Sequence, residues 1–315
     1  MDDPKIELKT NALAVEPLGE SLRRREELEF VREVRIATYN VFKLFGERPD
    51  VYSPQPHDPT SEKQLAALGE MILALDADAI AFQEVQNRRI LKDLFQQHVN
   101  RALKKKGEEP FSSFVCHPAY DIHGINVALA TRLAVRTTLS FTEYEFGPLD
   151  DHAFRFSRDL LGVELFATPE YRFGFFVAHL KSKLGGERSE DKRVLEAREI
   201  RKQLVEPSFG GAAYISQDMV LAGDMNDDPQ AEAIAILRGG EPASALTDLL
   251  ATVRPNYTWP THHKRPKTRL DFILASPSLT AHVDRSSCKI YQQEPAAADA
   301  SDHYPASVTI EVPGS

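Results

Sequence analysis

Cysteine is nearly absent from this 315-residue chain: Cys116 and Cys288 are the only two. A disulfide framework is therefore excluded as the source of stability. Two thiols so far apart are expected to stay reduced, as in a cytoplasmic setting. Tryptophan occurs once, and no apolar run approaches the ~18 residues of a membrane span. Met1 is followed by Asp-Asp-Pro, not by a basic and then apolar leader, so no signal peptide is expected. The expectation is a cytoplasmic protein with no membrane partner. Positive charge is not in excess either, since the formal net charge is −9. That excludes coating of nucleic acid by bulk electrostatics but leaves room for a local basic groove. No internal repeat, heptad run or low-complexity tract is found. What is present is a hydrophobic content of 42%, enough for a sizeable core.

The most informative stretch is 221–229, Leu-Ala-Gly-Asp-Met-Asn-Asp-Asp-Pro. Met219 to Ala222 reads as a buried strand, and Gly223 permits a tight turn. Asp228 and Pro229 read as the N-cap and first residue of a helix, with Asp227 as a second capping residue. The same design recurs. Val34 to Thr38 ends in Tyr39-Asn40, Ala79 to Phe82 in Gln83-Glu84, and Phe173 to Ala178 in His179-Leu-Lys181. Two later strands carry their polar residues first: Asp271 before Phe272 to Ala275, and Ser301-Asp302-His303 before Pro305 to Ile310. The two sets share one edge only if they run antiparallel, so a mixed sheet is predicted. That edge would collect Asn40, Glu84, His179, Asp224, Asn226, Asp271, Asp302 and His303. Four carboxylates crowded together repel one another. Such a site needs a cation, and oxygen ligands favour a hard one, Mg2+ or Mn2+.

Residues 1–33 are rich in charge and read as an N-terminal extension, with a short helix over 21–29 and a solvated Arg23-Arg24-Arg25. Residues 34–315 show no clean break and read as one domain. Helices are predicted over 61–75, with Ser61 and Gln64 as a capping box, and over 88–106, ended by Gly107. Further helices are predicted over 191–205 and 230–237, and residues 43–60 read as loop. Strands are predicted over 113–116, 126–131, 137–145 and 160–166. Lys104 to Lys106 suit a helix C-terminus. The loop His262-His263-Lys264-Arg265 with Lys267 is either solvated or a phosphate contact. Trp259 beside it either stacks on a base or packs in the core.

Together these residues resemble the endonuclease/exonuclease/phosphatase superfamily, which includes deoxyribonuclease I and exonuclease III. The resemblance covers about 34–311. It rests on Ala37-Thr-Tyr-Asn40, Phe82-Gln-Glu84, Gly124-Ile-Asn-Val-Ala-Leu-Ala-Thr-Arg132, Ser157-Arg-Asp159, His179-Leu-Lys-Ser-Lys183, Gly223-Asp-Met-Asn226, Arg269-Leu-Asp271 and Ser301-Asp-His303. The form of the fifth motif is most similar to bacterial nucleases of the superfamily. The resemblance implies a deoxyribonuclease I-like fold: a four-layer α/β/β/α sandwich of two mixed, mainly antiparallel sheets flanked by helices. It implies metal-assisted hydrolysis of a phosphoester by in-line attack of water. On it, Glu84 is the principal metal ligand, helped by Asn40 and Asp302. Asp224 positions or deprotonates the water, and Asn226 donates to the phosphoryl group. His303 contacts phosphate or acts as acid/base, oriented by Asp271. His179 matches a histidine of the deoxyribonuclease I-like branch. Phe42 stands where the exonuclease III-like branch often has an acid, so a second metal subsite is not expected there. No match to that branch's phosphate-contacting tyrosine is found.

A phosphodiester resists attack because its anion repels nucleophiles and its leaving alkoxide is poor. Asn226, His179, His303, Lys181 and Arg158 are suitable donors to such an anion. The leading expectation is a Mg2+-dependent nuclease, with Mn2+ able to substitute. Its substrate is DNA, with RNA as a further candidate. The rival is a phosphatase or phosphodiesterase for a small phosphorylated metabolite, inositol phosphate or lipid headgroup. A catalytically dead binding module is disfavoured, because every acid, amide and histidine needed for catalysis remains.

Overall fold

The computed structural model describes residues 33–47, 57–149, 152–206, 212–260 and 266–312. The predicted helix at 21–29 and the basic residues 262–265 lie outside them. The chain opens with β1 (Glu33–Leu44), α1 (Glu62–Leu75), β2 (Ala79–Val85), α2 (Arg88–Leu94), a π-helical turn (Phe95–Val99) and α3 (Asn100–Lys106). Strands β3 (Ser113–Val115), β4 (Asn126–Thr131), β5 (Ala134–Ser140), β6 (Phe146–Leu149), β7 (His152–Phe154), β8 (Leu161–Phe166) and β9 (Arg172–His179) follow. Then come α4 (Glu187–Val205), β10 (Met219–Asp224), α5 (Glu232–Arg238), β11 (Thr247–Asp248) and β12 (Asp271–Ala275). The chain closes with α6 (Pro277–Thr280), β13 (Val283–Ile290), α7 (Ala297–Ala300) and β14 (Ala306–Glu311).

Alternation along the strands builds the layers. One six-stranded sheet has the order β13-β14-β1-β2-β4-β3, and a second has β11-β12-β10-β9-β8-β5. Ile36, Ala81, Leu129, Val163, Phe175, Val177, Ala222 and Ile273 point between the sheets and form a central core. Their neighbours point the other way. Ala37, Tyr39, Ile80 and Phe82 pack under α1 and α2, while Phe176, Ala178, Leu221 and Phe272 pack under α4 and α5. This is the α/β/β/α sandwich expected from the sequence.

The strand directions gather the polar ends. β1 runs parallel to β2 and β9 parallel to β10, whereas β12 and β14 run antiparallel to β10 and β1. Asp224 therefore lies beside both His179 and Asp271 in register, and Asn40 lies beside Gln83. Gly223, at φ +145°, makes this closeness possible: a Cβ there would stand 1.9 Å from the Ala178 carbonyl oxygen. No helix among the described residues is long and apolar enough to cross a membrane.

Several local expectations change. The capping box is half made. Ser61 caps the Gln64 amide at 3.2 Å, but the Gln64 side chain leaves the helix to donate to the Phe42 and Ala300 carbonyls, each at 3.2 Å. The predicted 88–106 helix is one run interrupted by the π turn. Residues 43–44 are strand rather than loop, because β1 continues past a bulge at Asn40. The strand expected at 137–145 lies at 134–140. Asp228 does not cap a helix, since α5 starts at Glu232 with Ala231 as its N-cap. Its carboxylate binds Lys183 and Thr268 instead, and Asp227 pairs with Arg193 at 2.9 Å. Long-range cations claim acids that local propensity assigns to a turn.

Candidate active site

Eight of the predicted residues converge where the two sheets share an edge. Asn40 is buried at the bulge of β1, and its amide nitrogen lies 3.0 Å from Asp224 Oδ2 and 3.4 Å from Glu84 Oε1. Its Oδ1 accepts from the Phe42 amide at 3.1 Å. Glu84 Oε2 accepts from the Lys43 amide at 3.1 Å. One side chain thus bridges the two carboxylates from opposite sheets. Two short-range devices hold this corner. Gln83 and Thr38 exchange buried hydrogen bonds at 3.2 and 3.3 Å, fixing β1 to β2 beside Asn40. Ser301 donates to the Asn40 carbonyl at 2.7 Å and accepts from the His303 amide at 3.1 Å.

Backbone strain concentrates here. Five non-glycine residues have positive φ among those described, and four of them are Phe42, Lys43, Glu84 and Asn226. Left-handed backbone costs about 1 kcal/mol or more for such residues and persists where surroundings over-determine it. Glu84 adopts φ +65° at a bulge between β2 and its neighbours, which swings its carboxylate out of the strand alternation.

The second cluster is Asp271, His303 and Asp224. His303 Nδ1 lies 2.8 Å from Asp271 Oδ2, and its Nε2 lies 3.8 Å from Asp224 Oδ2. Burial opposes a charged imidazole, but the Asp271 and Asp224 carboxylates outweigh it and raise the His303 pKa. Asp224 is pushed up by burial and by Asp271, against the pull of His303, the Asn226 amide and Asn40. His179 Nε2 approaches Asp224 Oδ2 at 3.6 Å. Burial, Arg158 and His303 hold the His179 pKa well below the ordinary histidine range, and its buried Nδ1 has no hydrogen-bond partner. Asp271 is set by Thr258, whose hydroxyl accepts from the Leu270 and Asp271 amides at 3.1 Å each.

Asn226 departs in one respect from the expected phosphoryl donor. Its amide nitrogen already donates to the Leu180 carbonyl at 3.0 Å, leaving one N–H for a ligand. Arg158 is buried, with Nε 3.3 Å from Asp121 and Nη1 3.4 Å from the Leu180 carbonyl. Its charge is near enough to Glu84 and His179 to lower both pKa values. Asp302 is half-buried and faces the same space, raising Glu84 and His303 by its charge. Lys267 rests over the Tyr257 ring at 4.6 Å.

Sequence reasoning missed a supporting layer on α4. Glu196 accepts from the Ser157 amide at 2.6 Å and the Lys181 amide at 2.7 Å. Arg193 holds Asp227 and donates to the Lys181 carbonyl at 3.2 Å. The signal was available: Arg193 and Glu196 share a helical face with the buried Ala197, Ile200 and Leu204.

The donor set suits a hard cation. Glu84 is lifted above the ordinary carboxylate range by burial and by Asp302, a repulsion that a divalent ion between them would relieve. A second grouping, Asp224, Asp271 and His303, brings one ligand atom each to within 4.8 Å of the others. Asp271 Oδ1 there is buried without a hydrogen-bond partner. Oxygen and imidazole donors of this kind fit Mg2+ or Mn2+ better than a thiophilic ion.

Comparison with known proteins agrees with this geometry. The model of the Endonuclease/Exonuclease/phosphatase family matches residues 37–303. The human Nocturnin catalytic domain with bound sulfate superposes with a TM-score of 0.60 at 17% identity, covering 88% of this chain and 94% of that one. An AP endonuclease from Archaeoglobus fulgidus gives 0.57 at 15% identity, covering 89% and 100%. A 3′ phosphatase from Neisseria bound to a product DNA hairpin gives 0.53 at 17% identity, covering 89% and 100%. At these identities the likeness establishes the fold alone. No curated protein matches the sequence. The chain belongs to the endonuclease/exonuclease/phosphatase family and is a metal-dependent hydrolase of phosphoester bonds.

Proposed function

We propose that this hydrolase is a nuclease that cleaves phosphodiester bonds in DNA, with RNA as a further substrate, using Mg2+ or Mn2+. Residues 34–315 form its catalytic domain and 1–33 an extension. The compartment proposed for it is the cytoplasm. The observation that carries it is the single constellation in which Asn40 bridges Glu84 and Asp224 while His303 lies between Asp224 and Asp271.

Glu84, with Asn40 and Asp302, would hold the ion, whose chemistry is to neutralise phosphate charge and acidify bound water. Asp224 orients the attacking water and accepts its proton, and burial makes it a stronger base than an exposed carboxylate. Asp271 fixes the His303 tautomer and sustains its positive charge. His303 then stabilises the phosphoryl oxygens or protonates the leaving alkoxide. His179 and the remaining Asn226 N–H donate to the phosphoryl group, and Arg158 and Lys181 contribute positive potential. Two fold relatives are described by DNA chemistry, an AP endonuclease and a phosphatase with a DNA hairpin. The net charge of −9 favours the rival reading, a small phosphorylated metabolite.

Single- and double-stranded DNA and RNA incubated with Mg2+, with Mn2+ and with EDTA test the proposal. Metal-dependent cleavage of a polymer is expected. Phosphate release from small molecules with no polymer cleaved would replace it by the rival.

A further inference from the structure

Lys192 has no part in the proposed chemistry, and Lys181 enters it only through its positive potential. Lys181 is half-buried, and only its backbone groups hydrogen-bond among the described residues. Lys192, on α4, has a side chain 21% exposed and forms a long i,i+4 ion pair with Glu196, Nζ to Oε1 4.0 Å, beyond hydrogen-bond reach. Each Glu196 oxygen already accepts one hydrogen bond, from the Ser157 and Lys181 amides. The Lys192 stem lies against Phe154, with Nζ 5.5 Å from the ring centre. Arg158 adjoins Ser157 and spends one contact on Asp121. Three cations thus face two acids, Asp121 and Glu196. Burial, with repulsion from Lys181 and Arg158, lowers the Lys192 pKa. Partly desolvated ammonium groups with unfilled donors cost free energy that an arriving anion would recover.

We propose that Lys181, Lys192 and Arg158 form a subsite for a second phosphate, flanking the one that is cleaved. The inference rests on the reading of His179, Asp224 and His303 as the centre for the cleaved phosphate. The subsite adjoins that centre through the backbone. Lys181 follows His179 by two residues, and the Leu180 carbonyl accepts from both Arg158 and Asn226. The anion is either the next phosphodiester of a strand or a second phosphate on a small multiply phosphorylated molecule. Phosphate oxygens supply the acceptors that both ammonium groups lack.

The test compares kcat/KM of the wild type, Lys192→Met and Lys192→Arg. Methionine keeps the stem packing against Phe154 and removes the charge. The substrates are bis(4-nitrophenyl) phosphate with one phosphate, a tetranucleotide of DNA, and a bisphosphorylated polyol. The wild type is expected to prefer a substrate bearing the second phosphate. Lys192→Met should cut that preference about tenfold, and Lys192→Arg should restore most of it. If the tetranucleotide is the preferred substrate, its log–log salt slope should fall by about 0.7, one phosphate contact on a single strand. A preference for the bisphosphate alone, reduced in Lys192→Met, supports the subsite while removing the nuclease reading. Absence of any wild-type preference, or an equal loss on all three substrates in Lys192→Met, overturns the subsite.

Discussion

Asp271 spends one oxygen on His303 Nδ1 at 2.8 Å and leaves the other without a hydrogen-bond partner. Asp271→Asn keeps the shape and removes the charge that helps raise the His303 pKa. The expected result is a kcat lower by about 100- to 10,000-fold with KM little changed. The sign of the pH effect follows. If charged His303 is the working form, activity falls as pH rises through its pKa. Losing a carboxylate lowers that pKa, so the alkaline limb should move to lower pH. A limb that stays in place would separate Asp271 from His303. Asp159 offers a test of stability instead. Burial lifts its carboxyl to about 7, opposed by hydrogen bonds that include the Phe141 amide at 2.7 Å. The folded state binds this proton more tightly than the unfolded chain. The stability from that proton is therefore full below about pH 4 and lost as pH rises to 7. Asp159→Asn should raise stability at pH 8 by roughly 2 kcal/mol and much less at pH 5. Urea unfolding at both pH values measures it, and an equal effect at both would refute the assignment.

At the scale of elements, Gly223 decides whether β9 and β10 can lie close enough to bring Asp224 beside His179. Gly223→Ala would drive a Cβ into the Ala178 carbonyl, a backbone atom that cannot rotate away. The expected loss is about 3 kcal/mol or more, read as a lower urea midpoint together with lost activity. A variant as stable as the wild type would contradict the close approach. Helix α4 acts through Glu196, which terminates two loops by accepting their amides. Glu196→Ala should cost roughly 2–4 kcal/mol by orphaning both amides, and Glu196→Gln about half, since one oxygen remains an acceptor. Equal stability of the two variants would show that the amides find other partners. Strand and helix placement was legible in the sequence because β2 and β10 are short apolar runs ended by polar residues. The ends of β5 and α5 were not, because bulges and long-range ion pairs set them. Asp227 and Asp228 read as caps from sequence alone, and only the folded chain brings Arg193 and Lys183 to them.

At the scale of the whole molecule, strand direction converts scattered motifs into one edge. The eight polar residues at strand ends were visible, and so was the need for antiparallel pairing between the two sets. Thr258 and Gln83 were not visible as supports, since a lone threonine or glutamine carries no sequence signature of what it holds. The family and its layered fold were readable from ordered motifs. The most direct test of the central claim is cleavage of end-labelled DNA by the wild type and Asp224→Asn, with Mg2+ and then with EDTA. Cleavage is expected to need the metal, to be lost in EDTA, and to fall about 1,000-fold in Asp224→Asn with the unfolding transition intact. Cleavage that persists in EDTA, or that is undiminished in Asp224→Asn, would contradict it.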